Sequence, residues 1–356
     1  MMTQKPSLLF LRRMTTAIGV VQHSRFNVPD WRFGYCLDDN GRALALMTRW
    51  ITVFPEDLSQ VRELMLSYLS YVAFSERPDG RMRNFMTHDL KFQEESGSDD
   101  SFGRAIWGLG ECAAQSFDTE TQMLAQQLLE RASTHIRDLR SPRAVAYVLL
   151  GLTSYYQAHP NQTTKKMIRK MSNYLLKLYH QTQLKDWRWF ESVITYSNAL
   201  LPLALLVSSQ VLVDAKLKKV ALESLLWLVE QTEMQKNGKL IAAPIGQNGW
   251  YERGGKKAKY DQQPVDVAMT ILAVLKAGEI TKDLSWITIA KRWQGWFYGQ
   301  NSESIVMADQ VEGWCKDGLN KGEANSSHGA ETVIMYLMSE LEMIKMEKLS
   351  DNISSA

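Results

Sequence analysis

Six segments of the sequence place apolar residues at three- and four-residue spacing on nearly every side of a helix. They are ALALMTRWITVF, AIWGLGECAAQ, RAVAYVLLGLTSYY, NALLPLALLVSSQVLV, VDVAMTILAVLKAG and ETVIMYLMSELEMI. A helix that is apolar nearly all round belongs inside a protein, because none of its faces suits water. Strand signals are scarce, so the chain must be built around six buried helices.

Amphipathic segments alternate with these buried ones. They are DLSQVRELMLSYLSYVAF, TQMLAQQLLERASTHI, TKKMIRKMSNYLLKLYHQ, DAKLKKVALESLLWLVEQTE and SWITIAKRWQGWFYGQ. Each has one charged face, which predicts a helix on the outside of the protein. The sixth outer helix is predicted between Ser7 and Val21.

The spacing of the buried segments is regular. Their helices are predicted to start near Asn40, Ser101, Arg143, Asn198, Val265 and Gly329. Successive starts are roughly 40–70 residues apart, the length of one helical hairpin with its loops. We therefore predict an all-α fold, an (α/α)6 toroid of six helical hairpins. It forms a single domain over residues 1–356, with its core at about 20–345 and a polar C-terminal tail that frays.

Charge and cysteine content exclude several classes of protein. Lys+Arg 41 against Asp+Glu 39 gives a net charge of +2 with no basic stripe, so we expect no nucleic-acid partner. The three cysteines are far apart and odd in number, which fits a reducing compartment rather than a disulfide framework. No apolar run approaches the ~20 residues of a membrane span. The arginines after the short apolar run Leu8–Leu11 are in the wrong order for a signal peptide. We expect a cytoplasmic protein without membrane insertion.

Two pairs of adjacent acids precede buried helices, Asp38–Asp39 and Asp99–Asp100. In a toroid the starts of all inner helices emerge on one face, so their loops converge on one cleft. Two neighbouring carboxylates in a concave site repel each other, which raises the pKa of one and suits a general acid and a general base. The alternative for each pair is a helix cap with a solvated neighbour. In the second pair we expect Asp100 to face the site while its neighbour caps the helix.

Three further groups of polar and aromatic residues lie in loops. DWRWFE contains Trp187 and Trp189, whose flat faces suit the apolar faces of sugar rings, beside Glu191; the alternative is an edge strand packed on the core. The loop GQNGWY, with Trp250, and YDQQ, with Gln263, combine amides and aromatic rings that suit sugar hydroxyls and rings. A final group precedes the last inner helix and contains Asp317, Asn325, His328 and Glu331.

Other site types leave no trace in the sequence. No pair of histidines has the spacing of metal ligands, so no metal is expected. The stretch GLNKG lacks the strand and the pattern of a nucleotide-binding loop, so no cofactor is expected. No GxSxG elbow or paired Cys and His arrangement is evident.

The motifs together resemble a bacterial family. GYCLDDNGRALALM, GSDDSFGRAIWGLG, WRWFESVITYSNALLPLALL, YDQQPVDVA and DGLN with HGAET are similar to an (α/α)6-toroid family, broadly like six-hairpin glycosidases, over roughly Gly34 to Glu331. Its members occur alone or fused behind glycosyltransferase domains, near genes that handle mannosides, which implies a glycosyltransferase as a possible partner. This chain has no nucleotide-sugar-binding pattern of its own. Where the family often has Asp, this chain has Ser197, so no catalytic acid is expected there.

These observations predict a carbohydrate-active enzyme, a glycoside hydrolase acting on an oligosaccharide. Asp39, Asp100 and Glu191 are the predicted pool of catalytic acid and base. The predicted substrate-binding residues are Asp38, Asp99, Arg104, Trp187, Trp189, Asn198, Trp250, Gln263, Asp317, Asn325, His328 and Glu331. Two alternatives stay open: a non-catalytic glycan-binding module that partners a glycosyltransferase, and a sugar epimerase or isomerase, an activity that usually relies on histidines.

Overall fold

A computed structural model describes residues 4–115 and 117–354, with side chains as far as residue 348. Over these residues the chain forms twelve α-helices. They are α1 Leu9–Met14, α2 Leu37–Val53, α3 Leu58–Ser75, α4 Asp99–Ala114, α5 Thr119–Ala132, α6 Pro142–Ala158, α7 Gln162–Thr182, α8 Leu200–Leu212, α9 Ala215–Gln231, α10 Pro264–Thr281, α11 Ser285–Gln294 and α12 Ala330–Ser354. Short 3-10 helices cover Trp31–Phe33, Pro55–Asp57 and Ser133–Asp138.

The strands are two to four residues long and form six antiparallel two-stranded pairs in the described part of the chain. The strands are β1 Ser24–Arg25, β2 Val28–Pro29, β3 Tyr35–Cys36, β4 Phe85–Met86, β5 Val193–Ile194, β6 Glu233–Lys236, β7 Lys239–Ala242, β8 Tyr251–Glu252, β9 Ala308–Asp309, β10 Trp314–Cys315, β11 Leu319–Asn320 and β12 Glu323–Ala324. The pairs are β1–β2, β3–β4, β5–β8, β6–β7, β9–β10 and β11–β12. All of them lie in loops between helices, where they fix loop conformation.

The predicted helix starts are confirmed. The even-numbered helices begin at Leu37, Asp99, Pro142, Leu200, Pro264 and Ala330, each within three residues of its predicted start. Inner and outer helices also differ as predicted: α2 buries 14 of its 17 residues, whereas α5 buries 5 of 14. The helix predicted between Ser7 and Val21 is the six-residue α1, and α12 continues through the segment expected to be a polar tail as far as residue 354.

The chain divides into two compact units, with boundaries inside α1, α7 and α8. One unit, which we call the α4 unit, comprises residues 11–175 and 207–214. In it α4 packs against α2, α5 and α6. The other, which we call the α10 unit, comprises the described residues of 1–10, 176–206 and 215–356, and in it α10 packs against α9, α11 and α12.

Glycines let the inner helices of the α4 unit approach each other closely. A Cβ atom on Gly110 of α4 would lie 2.2 Å from the carbonyl oxygen of Gly151 in α6. On the side facing α2, a Cβ on Gly108 would lie 2.4 Å from the oxygen of Gly41. No side chain fits at either place, so the helix backbones are in direct contact. This close packing brings the starts of α2, α4 and α6 within reach of each other's side chains.

The remaining general features concern membranes and thiols. Among the described residues, none of the helices combines the length and the apolar character needed to cross a membrane. Cys36, Cys112 and Cys315 are all free and buried. Burial raises the pKa of the Cys112 thiol to about 12.

Candidate functional site

An asparagine from a neighbouring loop holds the start of α2. The strand β3 leads directly into α2 and pairs with β4, which places Asn84 beside the first turn of the helix. The side-chain oxygen of Asn84 accepts hydrogen bonds from the backbone N–H groups of Leu37 (2.9 Å) and Asp38 (3.3 Å). Its amide donates to Asp38 Oδ2 at 2.9 Å. Asn84 therefore satisfies the orphan donors of α2 and orients the Asp38 carboxylate.

Arg104 of α4 lies between carboxylates from two helices. It donates to Asp38 Oδ1, and its second terminal nitrogen lies 3.5 Å from Asp100 Oδ2. Its guanidinium also lies over the ring of Tyr147, 5.1 Å from the centroid. Burial alone would raise the pKa of the Asp38 carboxyl, but Arg104 and Arg42 outweigh it and lower that pKa below its ordinary value. Asp38 is therefore a fixed anion that can accept hydrogen bonds but has no proton to give at neutral pH.

Asp39 makes a different set of contacts. It is 6 % exposed and accepts a hydrogen bond from the Cys36 thiol at 3.1 Å. Arg42, one turn along the helix and 1 % exposed, donates to its other oxygen at 3.3 Å. These contacts account for Asp39 as part of a buried ion pair. Of the two adjacent acids, Asp38 is the one that reaches the polar group around Arg104.

The second acidic pair holds the start of α6. Ser98 is the N-cap of α4, because its hydroxyl accepts the N–H of Ser101 at 3.1 Å. The expectation that one of the two acids caps α4 is therefore wrong. Asp99 Oδ2 accepts the backbone N–H groups of Arg140 (2.7 Å) and Ser141 (3.0 Å), the residues directly before α6. Asp100 Oδ1 accepts the Ser141 hydroxyl at 2.5 Å, so both acids are tied to the loop before the next inner helix.

In the α10 unit, the two tryptophans predicted to bind sugar rings lie in the core. Trp187 and Trp189 are 2 % and 0 % exposed. The ring of Trp187 packs 5.0 Å from Trp227 and 5.3 Å from Tyr251, and its indole N–H donates to the carbonyl oxygen of Glu191. Neither ring presents a face to solvent, so their burial gives the predicted stacking role no support. The half-buried Glu191 follows this cluster in the chain.

Asn198 and Trp250 occupy different environments. Asn198 is 4 % exposed, and its amide donates to Asp266 Oδ1 at 2.9 Å and to the carbonyl oxygen of Thr195 at 2.8 Å. It thereby joins the segment before α8 to the first turn of α10. Trp250 is half-buried at a positive φ of 52°, with its ring 6.4 Å from that of Tyr196. Trp250 thus keeps part of its surface available, whereas Asn198 is explained by packing.

Asp261, just before α10, has an unusual environment for a carboxylate. Gln247 donates to its Oδ2 at 2.5 Å, which joins the two loop segments GQNGWY and YDQQ. Oδ1 is buried and makes no hydrogen bond among the described residues. A Cβ on Gly318 would lie 2.1 Å from that oxygen, so only glycine leaves room for it. Burial raises the pKa of the Asp261 carboxyl, the Gln247 amide opposes this rise, and the nearby Asp317 carboxyl adds to it.

Asp317 directly precedes Gly318, the glycine that packs against Asp261 Oδ1. Its Oδ2 accepts the hydroxyl of Ser327 at 2.7 Å, and its Oδ1 accepts the backbone N–H of Gly329 at 2.5 Å. These donors come from the loop that leads into α12, just as Asp261 precedes α10. The starts of two inner helices therefore carry a pair of interacting carboxyls in unequal surroundings.

His328 lies two residues before α12 and is 6 % exposed. Its ring stacks on Trp314, with centroids 4.7 Å apart and planes 9° apart. The ring of Phe10 meets it edge-on at 5.3 Å. The aromatic packing explains the burial of this histidine.

The other predicted binding residues of the α10 unit are half-buried. Gln263 is the N-cap residue of α10 but makes no capping bond with its side chain. Asn325 accepts a hydrogen bond from the amide of Asn320 at 3.0 Å. Glu331 lies in the first turn of α12. All three flank the start of α10 or α12 along the chain, near Asp261 or Asp317 in sequence.

Sequence reasoning missed Asp261 and Asn84 as site residues. Asp261 stands three residues before Pro264, and a proline is typical of the first position of a helix, so the motif YDQQP marked a helix start with an acid before it. Asn84 precedes β4, and no local pattern links it to α2. Among the described residues, no group of three or more His, Cys, Asp or Glu side chains is arranged to hold a metal ion.

No protein-family model and no curated protein matches the chain. Solved structures do share its fold. Cellobiose 2-epimerase from Bacillus thermoamylovorans superposes with a TM-score of 0.72 at 12 % identity, covering 96 % of each chain. D-mannose isomerase gives 0.72 at 13 % identity, over 95 % of this chain and 94 % of its own. The GH76 α-mannanase of Bacteroides thetaiotaomicron gives 0.61 at 11 % identity, over 89 % and 88 %. The fold is therefore the predicted one, an all-α (α/α)6 toroid.

Proposed function

We propose that this protein is a carbohydrate-active enzyme that hydrolyses a glycosidic bond in an oligosaccharide. The fold is that of structures named as a sugar epimerase, a sugar isomerase and a mannanase. The observation that carries the proposal is the pair Asp261 and Asp317, two interacting carboxyls in unequal surroundings before α10 and α12. Paired carboxyls of this kind are the usual machinery of glycosidic bond cleavage.

The raised pKa of Asp261 supports its role as the acid. Asp261, with one oxygen buried without a hydrogen bond, is the proton donor to the glycosidic oxygen as its bond to the anomeric carbon breaks. Asp317, whose oxygens accept hydrogen bonds from Ser327 and Gly329, is the second carboxylate. It either takes a proton from the attacking water or bonds to the anomeric carbon itself. In both routes the elements of one water molecule end up across the broken bond.

The carboxylates first predicted as the catalytic pool take other places in this proposal. Asp39 is left out of the acid–base pair because Arg42 and Cys36 already account for its position. Asp100 and Glu191 stay predictions. Asp38 and Arg104 stay predicted substrate-binding residues, since fixed carboxylates and a guanidinium form strong hydrogen bonds with hydroxyl groups.

A sugar epimerase or isomerase is the second candidate. It is favoured by the higher TM-scores of the epimerase and isomerase structures, 0.72 for each, against 0.61 for the mannanase. Such an enzyme removes and returns a proton on the sugar carbon next to the anomeric centre. The same Asp261 and Asp317 would then be the candidates for that proton transfer.

Binding without catalysis is a further outcome that the experiment must separate. In that case the protein is a glycan-binding module, and the family resemblance implies a glycosyltransferase as its partner. We propose the cytoplasm as its location, because free buried cysteines fit a reducing compartment.

The decisive experiment is an oligosaccharide panel analysed for mass and stereochemistry. Linear manno- and gluco-oligosaccharides are incubated with the protein in H2(18O) and, separately, in D2O. Hydrolysis gives shorter products that carry one 18O at the new reducing end, and their anomeric configuration separates retention from inversion. Epimerisation leaves the chain length unchanged and introduces one deuterium at C2. Saturable binding in calorimetry with neither product would leave the binding module as the function.

Variants of the carboxyl pair test the assignment of roles. Asp261→Asn should lower turnover of the substrate found by ~10²–10⁴-fold, because the amide cannot donate the proton. Asp317→Asn should have a comparable effect. Since the active form of Asp261 is protonated, wild-type turnover should fall as pH rises through its raised pKa. Asp283→Asn, at an exposed turn where asparagine caps equally well, is the matched control. Full turnover by Asp261→Asn would overturn the assignment.

A further inference from the structure

A cavity of about 190 Å³ lies within the α4 unit, where the loops before α4 and α6 meet. The residues that line it are not those around Asp261. Its floor is apolar: Met82, Phe102 and Leu139 line it and are 2 %, 7 % and 8 % exposed. Buried apolar side chains at the bottom of an open cavity favour a ligand with an apolar face.

The rim of the cavity carries polar groups that the fold leaves unused. The side chains of Arg81 and Asp138 line it, are exposed, and make no hydrogen bond or ion pair with the rest of the described chain. Asp99 also lines it; its Oδ2 is occupied by backbone N–H groups, whereas its Oδ1 has no hydrogen bond within the described residues. A donor and two acceptors therefore remain for a ligand.

The charged groups that line the cavity indicate which class of ligand it can bind. The cationic or polar groups Arg81 and His135 face the carboxylates Asp99 and Asp138 around one opening. His135 is already engaged, since its Nε2 donates to a backbone oxygen at 2.7 Å. An anion would meet two carboxylates and a cation would meet a guanidinium, so a neutral ligand with several hydroxyl groups suits the rim best.

We propose that this cavity binds one pyranose ring of a neutral glycan. The inference rests on the proposed function, since it takes the ligand to be a carbohydrate. Pockets that bind drug-sized ligands measure roughly 300–1,000 Å³. A cavity of about 190 Å³ therefore fits a single ring rather than an oligosaccharide. The apolar C–H face of the ring lies on the Met82 and Phe102 floor, and adjacent hydroxyls bond to Arg81 and Asp138. The cavity selects a sugar residue by its hydroxyl pattern.

The methionine on the floor makes the proposal testable at the cavity itself. Protein labelled with 13C at the methionine methyl groups is titrated with methyl α-D-mannopyranoside and with methyl β-D-glucopyranoside, and Met82→Leu identifies the Met82 signal. We expect the Met82 methyl to shift in a saturable manner with at least one glycoside. Met335, buried in α12, serves as the internal reference that does not shift.

Variants of the rim supply the control. Arg81→Ala combined with Asp138→Ala should weaken the glycoside by about tenfold or more, the effect of losing one or two hydrogen bonds. Arg137→Ala, an exposed neighbour that does not line the cavity, should leave the titration unchanged. A Met82 signal that stays fixed up to the solubility limit of both glycosides overturns the inference, as does unchanged affinity in the double variant.

Failure of this inference is distinguishable from failure of the proposed function. If Met82 does not respond while oligosaccharides are hydrolysed, the cavity proposal alone falls. If Met82 responds while the panel shows neither hydrolysis nor epimerisation, the catalytic proposal falls and the cavity remains as part of a binding protein.

Discussion

The α4 unit and the α10 unit each hold carboxylates at the starts of inner helices, but they differ in what lies opposite those carboxylates. In the α4 unit Arg104 pairs with Asp38, and the pKa of Asp38 is lowered despite burial. In the α10 unit Asp261 has an amide and a second carboxyl as neighbours, and its pKa is raised. Two aspartates near the starts of inner helices therefore have pKa shifts in opposite directions.

This difference shows that an acidic motif in the sequence does not by itself determine whether a carboxyl can act as an acid or is held in an ion pair. Two adjacent acids before a helix, as in GSDDSF, looked like the stronger signal for acid–base chemistry. In the first such pair, LDDNGR, Arg104 is paired with Asp38 and Arg42 with Asp39, so both carboxylates are held in ion pairs. The single acid in YDQQP has no arginine partner in the described structure, and burial raises its pKa.

The largest expected effect comes from replacing Arg104, the arginine that pairs with Asp38 in the α4 unit. Arg104→Met should cost about 3 kcal/mol of unfolding free energy, because it leaves the Asp38 carboxylate largely buried without its partner. Urea unfolding followed by circular dichroism measures the loss. The wild-type contribution is present at neutral pH and disappears as pH falls below the ordinary value of 3.8, since the folded pKa of Asp38 is depressed.

Two further variants control this prediction. Arg104→Met with Asp38→Asn should recover part of the lost stability, because the uncompensated charge is gone. Arg62→Met breaks a pair in which the arginine is 50 % exposed, and it should cost no more than about 1 kcal/mol. Equal losses for Arg62→Met and Arg104→Met would contradict the view that burial makes the Asp38 pair important.

A second prediction tests the close packing of the inner helices in the α4 unit by adding a methyl group between them. Gly110→Ala should destabilise by about 1–3 kcal/mol, because the new methyl group would lie 2.2 Å from a backbone oxygen of α6. An ordinary helical Gly→Ala change would instead stabilise by about 1 kcal/mol. Gly255→Ala, in a loop of the α10 unit with its nearest atom at 3.1 Å, is the control. Increased stability of Gly110→Ala in urea unfolding would refute the close packing.

The third prediction concerns another carboxyl of the α10 unit, Glu340, which has no arginine partner among the described residues. Burial raises the pKa of Glu340 in α12 to about 6 from 4.5, although Gln294 and Gln310 donate to it. A raised folded pKa means that its contribution is present below about 4.5 and is lost as pH rises through about 6. Glu340→Gln should therefore remove about 2 kcal/mol of pH dependence between pH 4.5 and 7.

Stability measured against pH checks this last prediction. Glu279→Gln, which loses a partly exposed pair with Lys276, should keep the wild-type pH profile. If the Glu340→Gln profile is as steep as that of the wild type, the contrast between the two units does not extend beyond Asp261.

The helices could be predicted from the sequence because the burial of a helix is reflected in the apolar pattern of its own residues. A helix buried on all sides must be apolar at every position of its turn, and that pattern repeats six times. The helix starts followed from the positions where the apolar segments begin.

The site could be predicted only in part, because its contacts join distant residues. Asp38 is chosen over Asp39 by Asn84, 46 residues away, and by Arg104, 66 residues away. Trp187 and Trp189 sit in a polar sequence, yet Trp227 and Tyr251 enclose Trp187. No local pattern contains these partners, so the sequence indicated the loops correctly but not the direction of each side chain.

The burial of the three cysteines has a practical consequence for experiments that follow conformational changes with attached labels. Cys36, Cys112 and Cys315 are inaccessible, and burial raises the pKa of each thiol, so thiol-directed dyes and spin labels have no reactive native target among them. An engineered surface cysteine can therefore be labelled in the otherwise natural chain. Two such labels, one in each unit, would report distances between the units in solution as a sugar binds.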